Sequence, residues 1–184
     1  MNRIDQLLEN YRSHIQIPLR SGLPVSQRVW FAVYPAEDER RLINRIGDFE
    51  MLTKDAGHPW VQIDLAGSLA RWLDSVDEHE RDEWFKHPDD IELYAKTEWK
   101  DVLTEIFRVQ VASVREPDHT VFALTGLMDL YDLLHVSVLI EALESCLPGY
   151  LLVFFPGERE GSSYNFLDAR KGWNYLAAPI LCEK

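Results

Sequence analysis

The run Arg28-Val29-Trp30-Phe31-Ala32-Val33-Tyr34 constrains the chain most, because after its first residue it carries only apolar and aromatic side chains. Strands of this kind are buried on both faces, as in parallel sheets covered by helices. Pro35 follows at a favourable first helical position, and Glu37, Asp38 and Glu39 fall in the first turn, where the helix dipole favours acids. Leu42, Ile43, Ile46 and Phe49 recur at helical spacing, Gly57 closes the helix, and Trp60-Val-Gln-Ile-Asp-Leu65 reads as a second strand. Strand, helix and strand in so short a stretch form a βαβ unit, which implies parallel strands with a right-handed crossover.

The rest of the chain extends this pattern. Ile4, Leu7, Leu8, Tyr11 and Ile15 share one face of a short opening helix, which ends before a loop with Pro18, Gly22 and Pro24. From Ala66 to Ser113 the pattern is helical and polar. Leu69, Trp72 and Leu73 mark one helix there, and Asp89 or Asp90 is placed to cap another through Leu103, Ile106 and Phe107. Thr120–Thr125 is a third strand ending at Gly126. A loop with Asp129 and Asp132 leads to Ser137, a candidate cap for a helix over Leu139, Ile140, Leu143, Cys146 and Leu147. Tyr150–Phe155 is a fourth strand. Arg159–Gly172 reads as loop, and Trp173–Pro179 as an edge strand whose ladder Pro179 ends. The expected fold is α/β: one domain over 1–184, with a mostly parallel central sheet of about four to five strands. Helices cover both faces, and an acidic helical insertion spans about 66–116.

Charge narrows the function classes. The chain carries 31 acidic residues against 19 Lys and Arg, a formal net charge of −12. Between Asp74 and Asp101 lie eleven acids and four bases, so that segment alone supplies −7. Phosphate neutralisation by Lys and Arg supplies most non-specific nucleic-acid affinity, so autonomous nucleic-acid binding is disfavoured. An anionic membrane surface is disfavoured for the same reason. A solvated face accounts for such a charge run, and a basic protein partner is also compatible with it. No apolar stretch reaches membrane-spanning length, and the N-terminus lacks the basic start and apolar run of a signal peptide. Cys146 and Cys182 show no CxxC spacing and are expected as reduced thiols in the cytoplasm.

Motif chemistry is sparse. The sequence holds no GxxxxGK[ST], GxGxxG, HExxH or GxSxG. Thr125-Gly126-Leu127-Met128-Asp129 occupies the position of a phosphate loop but has one glycine, no lysine and two nearby acids. No cofactor is expected from these patterns. His79 and His87 flank a carboxylate-rich stretch, and Asp77, Glu78 and Asp82 could serve a hard ion, but such a charge run is more typical of a solvated helix. Ser162 and Ser163 follow Gly161 with no spacing that implicates a base. Asp64, Asp129 and Glu158 are expected near strand ends, and together they form the alternative catalytic cluster for metal-assisted or acid–base chemistry. Against that, Asp64 also suits a helix cap and Glu158 an exposed position. A different feature points to a partner. Trp84 and Phe85 are adjacent aromatics beside Asp82 and Glu83, and neighbours on a helix point about 100° apart, so one narrow stripe does not bury both.

Three segments carry a family resemblance: Gln27–Leu42 (QRVWFAVYPAEDERRL), Leu151–Glu158 (LLVFFPGE) and Leu167–Leu176 (LDARKGWNYL), with Tyr164-Asn165-Phe166 just before the last. With the opening Arg3–Leu8 they resemble the BrxB family over nearly the full length. That family is the small component of bacterial BREX phage-exclusion systems. The resemblance implies a cytoplasmic antiviral-defence protein acting beside a PglZ-type protein of phosphatase-like fold, a methyltransferase and a large ATPase. It supplies no catalytic residues, and it implies a degenerate P-loop-like layout only by analogy of fold. The function expected is therefore a non-catalytic adaptor or scaffold that binds the PglZ-type partner. Its docking residues would be Trp84, Phe85, Asp82 and Glu83, or else Glu158 and Tyr164 in the Pro156–Asp168 loop. The alternative is a cryptic metal-dependent nuclease or nucleotide hydrolase built on Asp64, Asp129 and Glu158.

Overall fold

The computed structural model describes residues 2–20, 22–167 and 173–182. Alternate side chains of β1 (Val29–Tyr34) leave on opposite faces of the sheet, and both faces are covered. Trp30, Ala32 and Tyr34 pack with α1 (Arg3–Ile15), α2 (Glu39–Ile43) and α3 (Ile46–Asp55). Val29, Phe31 and Val33 join the core formed with the later helices. Every residue of β1 is buried, as the uninterrupted apolar run requires.

The remaining strands are β2 (Trp60–Asp64), β3 (Val121–Thr125), β4 (Tyr150–Glu160), β5 (Ser163–Phe166), β6 (Trp173–Asn174) and β7 (Ala178–Leu181). β2, β3, β4, β1 and β7 lie side by side in that order, all parallel. Among the described residues the sheet has seven strands, not four to five. The difference comes from the stretch expected to be loop. β4 continues through Pro156 and Gly157 to Glu160, then folds back as an antiparallel hairpin with β5, which in turn pairs with β6. A Cβ at Gly157 would collide with the Asn165 carbonyl, so the bare α-carbon is what lets β5 lie over β4 there. Pro179 does not end the last ladder. It sits inside β7, opposite Phe31, and is tolerated because β7 is an edge strand.

Helix termini show why the pattern breaks where it does. Gly57, at φ +88°, closes α3: its N–H donates to the Lys54 carbonyl and the His58 N–H to the Thr53 carbonyl. β2 and β3 are bridged by α4 (Ser68–Ser75), α5 (Glu78–Lys86), α6 (Pro88–Tyr94), a π-helical turn (Ala95–Trp99) and α7 (Lys100–Ala112). Asp77 caps α5 by accepting from the His79 and Glu80 N–H groups, whereas Asp89 and Asp90 lie in the first turn of α6 after Pro88. The cap of α8 (Val136–Glu144) is His135, whose Nδ1 accepts from the Ser137 N–H at 3.3 Å; Ser137 itself is already helical. Within the bridging helices Trp72 packs between Trp84 at 5.4 Å and Trp99 at 5.9 Å, and Trp84 stacks on Tyr94 at 4.5 Å. Leu103 and Phe107 of α7 are buried, but Ile106, expected beside them, faces outward. No helix among the described residues is long and apolar enough to cross a membrane.

Candidate functional site

After β1 the chain crosses to β2 at the far side of β4 and β3. After β4 it passes through the hairpin to β7, on the opposite side of β1. The two neighbouring strands β1 and β4 therefore send their connections in opposite directions. In open parallel sheets this arrangement opens a crevice at the carboxyl ends of the strands, and ligands bind there. A cleft of about 660 Å³ occupies this position. Its floor is the end of β1 with Gly157 of β4, its walls include Glu158, Arg159 and Asn165, and Arg3 reaches in from α1.

The loop leaving β1 decides what chemistry the cleft can do. Pro35 has no N–H to offer. The Glu37 carboxylate accepts its own backbone N–H and the Arg3 guanidinium, with Arg3 Nη1 2.8 Å from Glu37 Oε1, and both interactions hold it below the usual carboxylate range. Arg3 also approaches Asp38 Oδ2 at 3.6 Å, an oxygen that is buried without a hydrogen bond, while Asp38 Oδ1 accepts from Arg41 at 2.7 Å. The loop leaving β1 thus presents a carboxylate to the cleft, which repels a phosphate. Opposite it, Glu158 is exposed and makes no ion pair or side-chain hydrogen bond among the described residues. The Arg159 guanidinium lies 5.9 Å from the centre of the Tyr164 ring. The Cys182 thiol donates to the Val33 carbonyl at 3.0 Å. Cations (Arg3, Arg159) and carboxylates (Glu37, Glu158) both line this polar cleft.

Behind the cleft, the Tyr34 hydroxyl donates to the Glu39 carboxylate. Burial pushes the Glu39 carboxyl up, and Asp64 nearby adds to this, against the opposing Tyr34 bond. Asp64 itself accepts from Thr125 Oγ1 at 3.1 Å and from the Ala66 N–H at 3.1 Å. Asp129 accepts from the Leu69 N–H at 3.4 Å. Gly126, at φ +75°, is required in this corner, since a Cβ would strike the Ala66 nitrogen and the Asp64 carboxylate. Asp64 and Asp129 thus organise loops at β2 and β3, and Glu158 belongs to the cleft at β4. Of the three, only Glu158 lines the cleft. Among the described residues no three His, Cys, Asp or Glu side chains stand at metal-ligand spacing, the acids flanked by His79 and His87 included.

The aromatic docking candidates separate by burial. Trp84 is 3% exposed and Tyr164 is 2% exposed, the latter with its hydroxyl donating to the Ala177 carbonyl at 3.2 Å. Neither ring faces solvent, because Trp84 is held in the indole stack and Tyr164 against Phe31 and Phe155. Phe85 is the outward member of its pair at 56% exposure, Asp82 is exposed, and Glu83 is paired with Lys86 at 2.6 Å. Arg3 and Glu37 escaped recognition as a site because they lie 34 positions apart. The acidic run Glu37-Asp38-Glu39 was the available signal, and it reads equally well as helix-start chemistry. Asp168–Gly172, the middle of the last resemblance segment, lies outside the described residues. Fold and cleft together define a mostly parallel α/β architecture with a polar crevice at its switch point. No family model, curated protein or solved structure matches the chain.

Proposed function

We propose that the chain is a non-catalytic adaptor of a BREX-type phage-defence complex in the bacterial cytoplasm, and that it grips a PglZ-type partner in the switch-point cleft. One observation carries the reading. The most distinctive pieces of the BrxB resemblance are the start Phe31–Leu42 and the ending from Val153 onward. They are far apart in sequence, yet Val33–Glu37 of the first and Gly157 and Glu158 of the second meet at the cleft, with Tyr34 in register with Pro156. The charge pattern supports a protein ligand over a nucleotide, because the Glu37 carboxylate repels a phosphate and Glu158 is left to face a cation. The test is co-expression of the tagged chain with the proteins of a BREX operon. The PglZ-type protein is expected to copurify, and Glu158→Arg is expected to release it without changing the melting temperature. Copurification of another component alone, or retention of the partner by the reversed cleft, overturns the proposal.

A further inference from the structure

Asp38 is the only buried acid among the described residues, at 2% exposure. It directly follows Glu37 in the turn that leaves β1, so this turn carries one carboxylate to the cleft and one inward. Arg41 Nη1 donates to Asp38 Oδ1 at 2.7 Å, but Oδ2 accepts no hydrogen bond. A carboxylate oxygen taken out of water and left without a donor is costly to a fold. The Arg3 guanidinium faces that oxygen, with Nη1 3.6 Å away. That is about 0.5 Å too far for a good hydrogen bond. The same nitrogen lies 2.8 Å from Glu37 Oε1. Arg3 is therefore shared unequally between an exposed acid and a buried one.

The two pairings differ in worth. The Arg3 and Glu37 side chains are 57% and 69% exposed, and an ion pair in water contributes little and is screened by salt. A donor to Asp38 Oδ2 acts where water does not compete. Glu37 holds Arg3 in its present place, and a second cation on Glu37 would release it. The charge of the cleft changes with that release. At rest Arg3 and Arg159 balance Glu37 and Glu158. With Arg3 turned to Asp38, two acids face the cleft against Arg159 alone, and one negative charge is left over.

We infer that the cleft receives a basic side chain, Arg or Lys, of the partner chain, and that Arg3 guards it. The incoming cation pairs with Glu37 in the cleft that Glu158 also lines, and Arg3 moves onto Asp38 Oδ2. The inference rests on the adaptor reading and names the group that enters its cleft. One ion pair, Arg3 with Glu37, is replaced by two, so no charge is left without a partner. The buried acid thereby raises the affinity for a cation it never touches, because it stabilises the arrangement in which Glu37 is free. Arg3 acts in the opposite sense, as the competitor that the ligand displaces.

The probe is N-acetylarginine methylamide, titrated at low salt into the full chain with labelled glutamate and read at the Glu37 and Glu158 carboxyls by carbon-detected NMR. Saturating shifts at both are expected, and none with the uncharged citrulline analogue. Arg3→Ala should tighten binding by about threefold or more, and Asp38→Asn should weaken it by about as much. In the Arg3→Ala background Asp38→Asn should lose most of its effect, since the group it would receive is gone. Should Asp38→Asn fail to fold, the wild-type chain decides: the Arg3 guanidinium hydrogens should exchange with solvent more slowly once the probe is bound. Weaker binding by Arg3→Ala overturns the inference, as do faster exchange of those hydrogens and equal effects of Asp38→Asn with and without Arg3. Absence of shifts at Glu37 in both the wild type and Arg3→Ala overturns it too. If these results hold and the PglZ-type protein still fails to copurify, the adaptor reading falls alone.

Discussion

The Tyr34 hydroxyl and the Glu39 carboxylate are joined across the turn that leaves β1, which places an ionisable acid in half-buried surroundings directly behind the cleft. Burial and the nearby Asp64 raise that carboxyl, so it holds its proton more tightly in the folded chain than in the unfolded one. For a raised carboxyl the folded state is favoured at acid pH, and that contribution is lost as pH rises through the folded value. Glu39→Gln keeps an acceptor for Tyr34 and removes the charge. The variant should therefore be more stable than the wild type at neutral pH, and the difference should vanish once pH falls below the ordinary carboxylate range. Urea melts across that window check this, and a variant that is less stable at neutral pH would contradict it.

Trp84 and Phe85 should respond in opposite ways. Trp84→Ala removes the indole that joins Trp72 to Tyr94 and should cost about 3–5 kcal/mol. Phe85→Ser changes an exposed ring and should stay within about 0.5 kcal/mol of the wild type. Thermal melts of the two variants decide the matter, and equal midpoints would place Trp84 outside the core.

Gly157→Ala tests the hairpin. The added methyl meets the Asn165 carbonyl, a backbone atom unable to swing aside as a side chain does. Overpacking of this kind costs about 1–3 kcal/mol. Amide hydrogen exchange should show lost protection in β5 before β1 or β3. Loss that is uniform over all strands would mean that the hairpin is not a separately yielding unit.

Arg3 tunes Glu37. Arg3→Ala should let the Glu37 carboxyl rise toward its ordinary range while staying below it, since the bond from its own backbone N–H, the larger cause, remains. Carbon-detected NMR titration of labelled glutamate reads this directly. A full return to the ordinary range would show that the backbone bond contributes little.

β1, β3 and the start of β4 were legible as near-continuous apolar runs, β2 as a shorter run broken by Gln62, and the helical stretch after β1 as a 3.6-residue period ended by Gly57. Strand order was not, because nothing local to Trp60–Asp64 says that it lies three positions from β1. The β4–β5–β6 hairpin was hidden by composition: Ser163 and Asn165 alternate with Tyr164 and Phe166 on a strand that is half polar and only four residues long. Adjacent Trp84 and Phe85 implied one ring in and one ring out. Which ring turns inward is fixed by Trp72, twelve residues upstream, and local spacing is silent about that. Ile106, expected beside Leu103 and Phe107, turns outward for the same reason: local spacing does not say which of two adjacent apolar residues meets the core. The cleft was foreseeable only in part, because Glu158 was placed near a strand end but its neighbours Arg3 and Glu37 come from a helix and a turn far earlier in the chain.

The indole stack has an optical consequence. Trp72 and Trp99 lie 5.9 Å apart and 14° from parallel, with Trp84 tilted at 30° beside them. Chromophores this close couple their electronic transitions, so the bridging helices carry a built-in exciton signal in circular dichroism that isolated tryptophans do not give. Because the three indoles come from α4, α5 and the π-helical turn, the signal exists only while those segments are packed together. Loosening of the acidic bridge can therefore be followed spectroscopically, without any label, while the sheet beneath it stays folded.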